Sequence, residues 1–320
     1  MRRPAPPLLG LVLLGFALSV MTGKLWVPPQ AFFSDDPLWR VIVDLRLPRT
    51  FLGLGVGATL GLSGAVLQGY LRNPLADPAV IGVSSWAAFG AVAALFLGIG
   101  GNVWLLAGCA MLAACLSVLL LSFLVGRSAS AVGFILTGAV LSTLAGSLTT
   151  LLISLAPNPY AMGEIITWMM GALTDRSYEE LAFSAPFMLA GAALLLTTAP
   201  ALDALSLGED VARSLGFSLT RLQIVIAVGL GLGVGAAVAV TGVVGFVGLM
   251  VPHVLRPLVG QKPSALLIPS ALGGAFLVLT ADSLVRLTPG AGEVKLGVAM
   301  SLIGAPFFFW LLWRTRRHLA

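Results

Sequence analysis

Ten runs of apolar residues, separated by short stretches where prolines, charges and polar turns collect, govern what this chain can become. They lie near 8–26, 50–71, 80–98, 102–125, 131–155, 178–199, 220–241, 243–259, 265–287 and 296–313. The hydrocarbon core of a bilayer is about 30 Å thick, and a helix needs about 20 apolar residues to cross it. Backbone N–H and C=O groups find no water there, so each run must satisfy its own hydrogen bonds as a helix. Ten such spans would use roughly 200 positions of the chain, leaving short connections and no sizeable soluble domain. Composition agrees: 58% of residues are hydrophobic and 10% charged, against about 25% charged in soluble domains, and the mean hydropathy is +1.02. The expected fold class is all-α, a polytopic membrane protein with about ten transmembrane helices forming one domain over residues 1–320.

Charge placement sets the orientation. A Lys, Arg or Asp at the centre of a span costs about 2.5 to 3.5 kcal/mol, so charges should mark the ends, and Lys and Arg concentrate on the cytoplasmic side. The charges do stand at or beyond the ends of the runs, apart from Arg256 and Asp282, each within about six residues of an end. With the N-terminus inside, Arg2, Arg3, Arg72, Arg127, Arg213, Arg221, Arg256, Lys262, Arg314, Arg316 and Arg317 are cytoplasmic, 11 of the 18 basic residues. Lys24, Arg40, Arg46, Arg49, Arg176, Arg286 and Lys295 share the outer face with nine of the thirteen acids. The inner side then carries a formal charge of +7 and the outer side −2, which together give the chain's +5. Both termini are expected in the cytoplasm. No basic block or stripe suited to nucleic acid exists, and Met1-Arg2-Arg3 with its apolar run reads as an uncleaved first span because Leu18-Ser19-Val20-Met21 is a poor cleavage site. Cys109 and Cys115 sit in one apolar run with no His or acid beside them, which supports neither a metal site nor a disulfide.

Three connections are more than turns. The outer stretch Lys24 to Arg49 contains an amphipathic piece, Leu38 to Leu45, suited to lying along the membrane surface. The outer stretch Pro157 to Arg176 includes an apolar segment around Glu164 that is too short to span and reads as a helix at the mouth of the bundle. The cytoplasmic stretch Leu205 to Gly216 reads as a short soluble helix. Ser206 and Glu209 have capping-box spacing, Val211 and Leu215 share a face, and Gly216 is a natural stop.

The chemistry-bearing motifs are few. The 38 glycines, many in membrane runs, read as close helix packing. Gly61-Leu62-Ser63-Gly64 with a distant His253 resembles the dyad of rhomboid-type intramembrane proteases, but such a dyad needs the base within hydrogen-bond reach of the hydroxyl. A phosphate-binding loop needs Gly-x-x-x-x-Gly-Lys-Ser/Thr, and neither Lys24, Lys262 nor Lys295 stands in that context, so ATP, if used, is hydrolysed elsewhere. An ion-coupled secondary transporter is expected to carry ionisable groups deep in its spans. Here they are almost absent, and Asp282 and Arg286, four apart, are placed to pair near the outer end.

Several segments together resemble one family. These are Leu45-Arg-Leu-Pro-Arg-Thr50, Gly64-Ala-Val-Leu-Gln-Gly69, Arg72-Asn-Pro-Leu-Ala-Asp-Pro78, Ile81-Gly-Val-Ser-Ser85, Leu205-Ser-Leu-Gly-Glu209 with Ala212-Arg-Ser-Leu-Gly216, Gly245-Phe-Val-Gly-Leu-Met-Val-Pro-His253, Ala281-Asp-Ser-Leu-Val-Arg286 and Gly304-Ala-Pro-Phe-Phe308. They resemble the permeases of ATP-binding-cassette importers for cobalamin, haem and iron-siderophore complexes, with a type II importer permease fold. The resemblance implies a homodimer in the bacterial inner membrane, two cytoplasmic ATPase subunits that carry the ATP and Mg, and a periplasmic or lipid-anchored binding protein. No cofactor is implied for this chain, whose partners otherwise are membrane lipid and the transported chelate or cobalamin.

Carried over residue by residue, the resemblance assigns ATPase coupling to Leu205, Ser206, Leu207, Gly208, Glu209, Ala212, Arg213, Leu215 and Gly216. It assigns docking of the binding protein to Arg46, Arg49 and Arg286. It places the fifth and tenth spans along the transport path, lined through Gly138, Ser142, Ala145, Gly146, Ser301 and Gly304. One departure stands before the last span, where the family usually has Pro and this chain has Lys295.

Overall fold

The computed structural model describes residues 5–25, 27, 38–125, 131–260, 262–289 and 292–316. Among the charges counted above, Arg2, Arg3, Asp35, Asp36, Arg127 and Arg317 lie outside the described residues, as do Pro28 and Pro29. Thirteen α-helices follow in order: α1 (Ala5–Met21), α2 (Leu47–Tyr70), α3 (Val83–Phe96), α4 (Val103–Val125), α5 (Ala131–Ser154), α6 (Pro159–Met169), α7 (Tyr178–Thr197), α8 (Ala199–Leu205), α9 (Glu209–Ser214), α10 (Leu219–Thr241), α11 (Val247–Val259), α12 (Pro263–Arg286) and α13 (Leu296–Arg316), besides the short turn Leu38–Arg40. All ten apolar runs are helical. Six helices are long and apolar enough to cross a membrane, and α1, α3, α11 and α13 are shorter apolar helices.

The shortening has local causes. The run 80–98 yields only 14 helical residues because Pro78–Ile81 forms a 3₁₀ turn and Gly82 adopts φ +89°, which favours glycine. The run 243–259 loses its first residues to Gly242 at φ +70° and Phe246 at φ +68°, the second a rare conformation for a bulky side chain. The surface helix expected over Leu38–Leu45 is different in the structure. Residues Leu38–Arg40 continue through a π-helical turn, Val41–Arg46, directly into α2, making one extended helix instead of a separate piece on the membrane. The mouth helix is present as α6, capped by Asn158, whose side chain accepts from the Ala161 N–H.

α2 and α10 are the central helices, with 78% of their most apolar window buried, whereas α5 is peripheral at 22%. The burial of α2 follows from its glycines. A Cβ on Gly57 or Gly61 would collide with the carbonyls of Gly274 or Ser270 on α12, and one on Gly64 would collide with Gly248 on α11. Spacings of four and three put these three glycines on one stripe, and the backbones meet there without side chains between them. Gly53 and Gly55 do different work, receiving Leu173 and Met188 side chains. Cys109 is half-buried and Cys115 exposed, both as free thiols.

Candidate functional site

At the cytoplasmic end, α8 and α9 are separated by a tight turn. The capping box expected between Ser206 and Glu209 does not form. Ser206 Oγ donates instead to the Asp203 carbonyl at 2.6 Å, and the N-cap of α9 is Gly208 at φ +118°, a conformation that side-chain-bearing residues resist. The stop at Gly216 is as expected: at φ +86° its N–H donates to the Arg213 carbonyl (2.9 Å) while the Phe217 N–H donates to Ala212 (3.0 Å), the paired bonds of a Schellman ending. Ala212 is buried, while Val211 within α9 and Leu207 and Leu215 flanking it are 41%, 68% and 60% exposed. A six-residue polar helix flanked by bare leucines and carrying an exposed valine is a surface that gains by being covered.

Ion pairs tether this element. Glu209 faces Arg72 at 3.6 Å and Arg213 at 3.5 Å, Arg213 also reaches Asp210 at 3.4 Å, and Asp203 pairs with Lys262 at 3.3 Å while accepting the Ser264 N–H. Arg72 belongs to the connection 71–82, whose far end meets α5: Ser142 Oγ donates to the Ala79 carbonyl at 3.2 Å. In the same connection Asp77 caps the 3₁₀ turn through the Ala79 N–H, and burial pushes its carboxyl above the usual range while that bond opposes the shift.

At the outer end the three expected docking arginines lie buried and engaged. Arg46 donates to the carbonyls of Val20 (3.2 Å), Met21 (2.8 Å) and Leu25 (2.5 Å), satisfying the C-terminal end of α1. Arg49 holds Asp282 at 2.8 Å and Glu293 at 2.9 Å. Arg286 pairs with the same Asp282, as its spacing predicts, and donates to the Ser19 carbonyl at 2.9 Å. Thr174 Oγ1 completes the set on Glu293 at 3.1 Å. Glu293, 244 residues from Arg49, was not legible from spacing.

The six expected path residues divide between two environments. Gly138 and Ala145 are buried, Ser142 is half-buried against the 3₁₀ turn, and Gly304 is buried under the ring of Phe246. Gly146 and Ser301 are exposed. The outward face of α5 carries instead Thr143, Ser147 and Thr150, each donating its hydroxyl to the carbonyl four residues earlier at 2.9–3.0 Å. Their spacing of four and three was the signal that could have found them. α13 starts directly after Lys295, whose carbonyl accepts the Ala299 N–H, and Gly297 lies against the carbonyls of Met170 and Val243.

The protease dyad is absent among the described residues. Ser63 Oγ is buried without a partner, and His253 lies edge-on to Phe307 with ring centroids 6.3 Å apart. No cluster of His, Cys, Asp or Glu suited to a metal occurs among the described residues.

A glycine-knit bundle with both ends elaborated, a short polar helix at one end and a closed ionic cluster at the other, defines a multi-pass membrane protein with no catalytic cluster among the described residues. The chain belongs to the FecCD transport family, whose model matches residues 11–314. It is 40% identical to the cobalamin import system permease BtuC of Halobacterium salinarum, over 90% of this chain and 77% of that one. It is 33% identical to the Fe(3+)-citrate import system permease YfmE of Bacillus subtilis, over 97% and 96%. A solved structure described as an inward-facing conformation of a metal-chelate type ABC transporter superposes with a TM-score of 0.86 at 33% identity, covering 97% of this chain and 98% of that one. The fold is therefore that of a type II importer permease.

Proposed function

We propose that this permease works as a homodimer that moves an iron chelate, such as a siderophore complex or haem, or cobalamin into the cytoplasm. Two ATPase subunits bearing ATP and Mg supply the work. The exposed aliphatic side chains of Leu207, Val211 and Leu215, on and beside α9, carry this reading, because a tethered helix with uncovered apolar side chains is suited to seating in a groove of a soluble partner. The relatives named for cobalamin and Fe(3+)-citrate import support the substrate class. All 320 residues serve as one transmembrane domain.

Docking of a binding protein is assigned to the outer rim around Arg46, Arg49 and Arg286. Since these guanidinium groups are engaged, an incoming carboxylate would have to exchange with Glu293, the more exposed acid of the cluster. Such docking weakens as salt rises. The path is assigned to the small and hydroxyl-bearing outward faces of α5 and α13, through Gly146 and Ser301 with Thr143, Ser147 and Thr150.

The decisive experiment combines Glu209→Lys with Leu215→Asp in the reconstituted complex. Transport-coupled ATP hydrolysis should be lost while the permease still inserts, and undiminished uptake would remove the basis of the assignment. The chelate retained by the cognate binding protein on purification identifies the cargo.

A further inference from the structure

The cavities of this chain differ in character. A groove of about 400 Å³ between α2, α7 and α12 is apolar apart from Thr59 and makes no chemical demand beyond hydrocarbon. A second cavity, about 490 Å³, lies at the cytoplasmic ends of α7, α8 and α10 and is lined in two halves. Leu194 and Val225 lie deeper along α7 and α10 than Thr197, Ser218 and Arg221, which stand at the cytoplasmic rim.

Arg221 is set apart from its neighbours. Arg72, Arg213 and Lys262 each pair with a carboxylate, and Arg256 donates to Gln68. No described group engages the exposed Arg221 guanidinium. It stands beside the first turn of α10, where Ser218 Oγ accepts only the Arg221 N–H, so the helix end adds further attraction for negative charge. Val225 is one turn deeper, about 6 Å along the axis, and Leu194 lies a similar distance below Thr198. An apolar slot at hydrocarbon depth that opens onto an unpaired cation at the headgroup level matches one chemistry: an acyl chain joined to an anionic phosphate.

We infer that this cavity binds an anionic phospholipid of the inner leaflet, with its phosphate at Arg221 and its chain along Leu194 and Val225. The wall also includes Gly216 and Phe217, the residues that end α9. The bound headgroup would therefore brace the strap joining α9 to α10. This site does not depend on the identity of the transported cargo.

The test is native mass spectrometry of the purified full-length chain titrated with phosphatidylglycerol, phosphatidylcholine or inorganic phosphate. Phosphatidylglycerol should be retained as one tightly held copy per chain. Arg221→Gln should weaken it about fivefold, the factor expected of one basic residue at an anionic surface, and leave phosphatidylcholine unchanged. Arg221→Lys should restore most of the retention, and Val225→Trp, which fills the slot and leaves the cation in place, should weaken phosphatidylglycerol as well. Equal retention by wild type and Arg221→Gln overturns the inference. Competition by inorganic phosphate as strong as that by the lipid reassigns the site to free phosphate and overturns it also. Arg221 is exposed, so its two variants keep the test valid should Val225→Trp not fold.

Discussion

The two ends of this molecule use the same kinds of charged residue in opposite ways. At the outer end, Arg49, Asp282 and Arg286 are buried and mutually satisfied, locking α1, α2 and α12 together. At the inner end, Arg72, Glu209, Asp210 and Arg213 stand in solvent around a short helix that keeps its apolar ridge uncovered. A buried pair is costly to break because the survivor loses both water and partner. An exposed pair contributes little and can be rearranged. The outer cluster is thus built to hold, whereas the ion pairs of the inner helix can be rearranged at little cost.

The sharpest way to break this comparison is Asp282→Ala, which leaves two buried guanidinium groups without their shared counter-charge. It should destabilise the protein by about 3–5 kcal/mol, read as a lower melting temperature of the purified permease. A loss no larger than that of a surface variant would end the distinction between the two ends. Next, Gly64→Val should cost about 1–3 kcal/mol or more, because the new side chain meets the backbone of α11 and not a yielding side chain. Unaltered melting would mean the helices part freely there. Replacing Leu207, Val211 and Leu215 together by Ser should change stability by no more than about 0.5 kcal/mol yet release the ATPase subunits on co-purification. Retained ATPase would show that the ridge is not the seat. Arg72→Ala, which should leave the ATPase subunits bound, should cost about 0–1 kcal/mol, and that difference should vanish at high salt.

Much of the fold was legible because each span must be a continuous apolar helix. What escaped the sequence was decided by backbone conformation or by distance along the chain. Gly208 and Gly216 both adopt positive φ, yet only Gly216 was read as an ending, since Ser206 and Glu209 mimic a capping box. The true box lies at Ser177 and Glu180, with the same spacing, where the Glu180 carboxylate accepts the Ser177 N–H at 2.8 Å. Phe246 in a left-handed conformation could not be foreseen, because nothing about its side chain favours that backbone. The pairing of Asp282 with Arg286 was visible as a helical spacing of four, whereas their third member, Arg49, required the fold. On α5, periodicity identified a small-residue stripe but not which way the stripe turns. Gly138 and Ala145 point into the chain and the hydroxyl stripe points out.

The contact of α2 with α12 and α11 through bare glycine backbone leaves no lubricant between the rods. Sliding α2 by one residue would drive Val56 or Leu60 into a carbonyl where hydrogen now sits. These three helices are therefore knit into one block, whereas α5, with 22% of its most apolar window buried in this chain, rests far less on its neighbours.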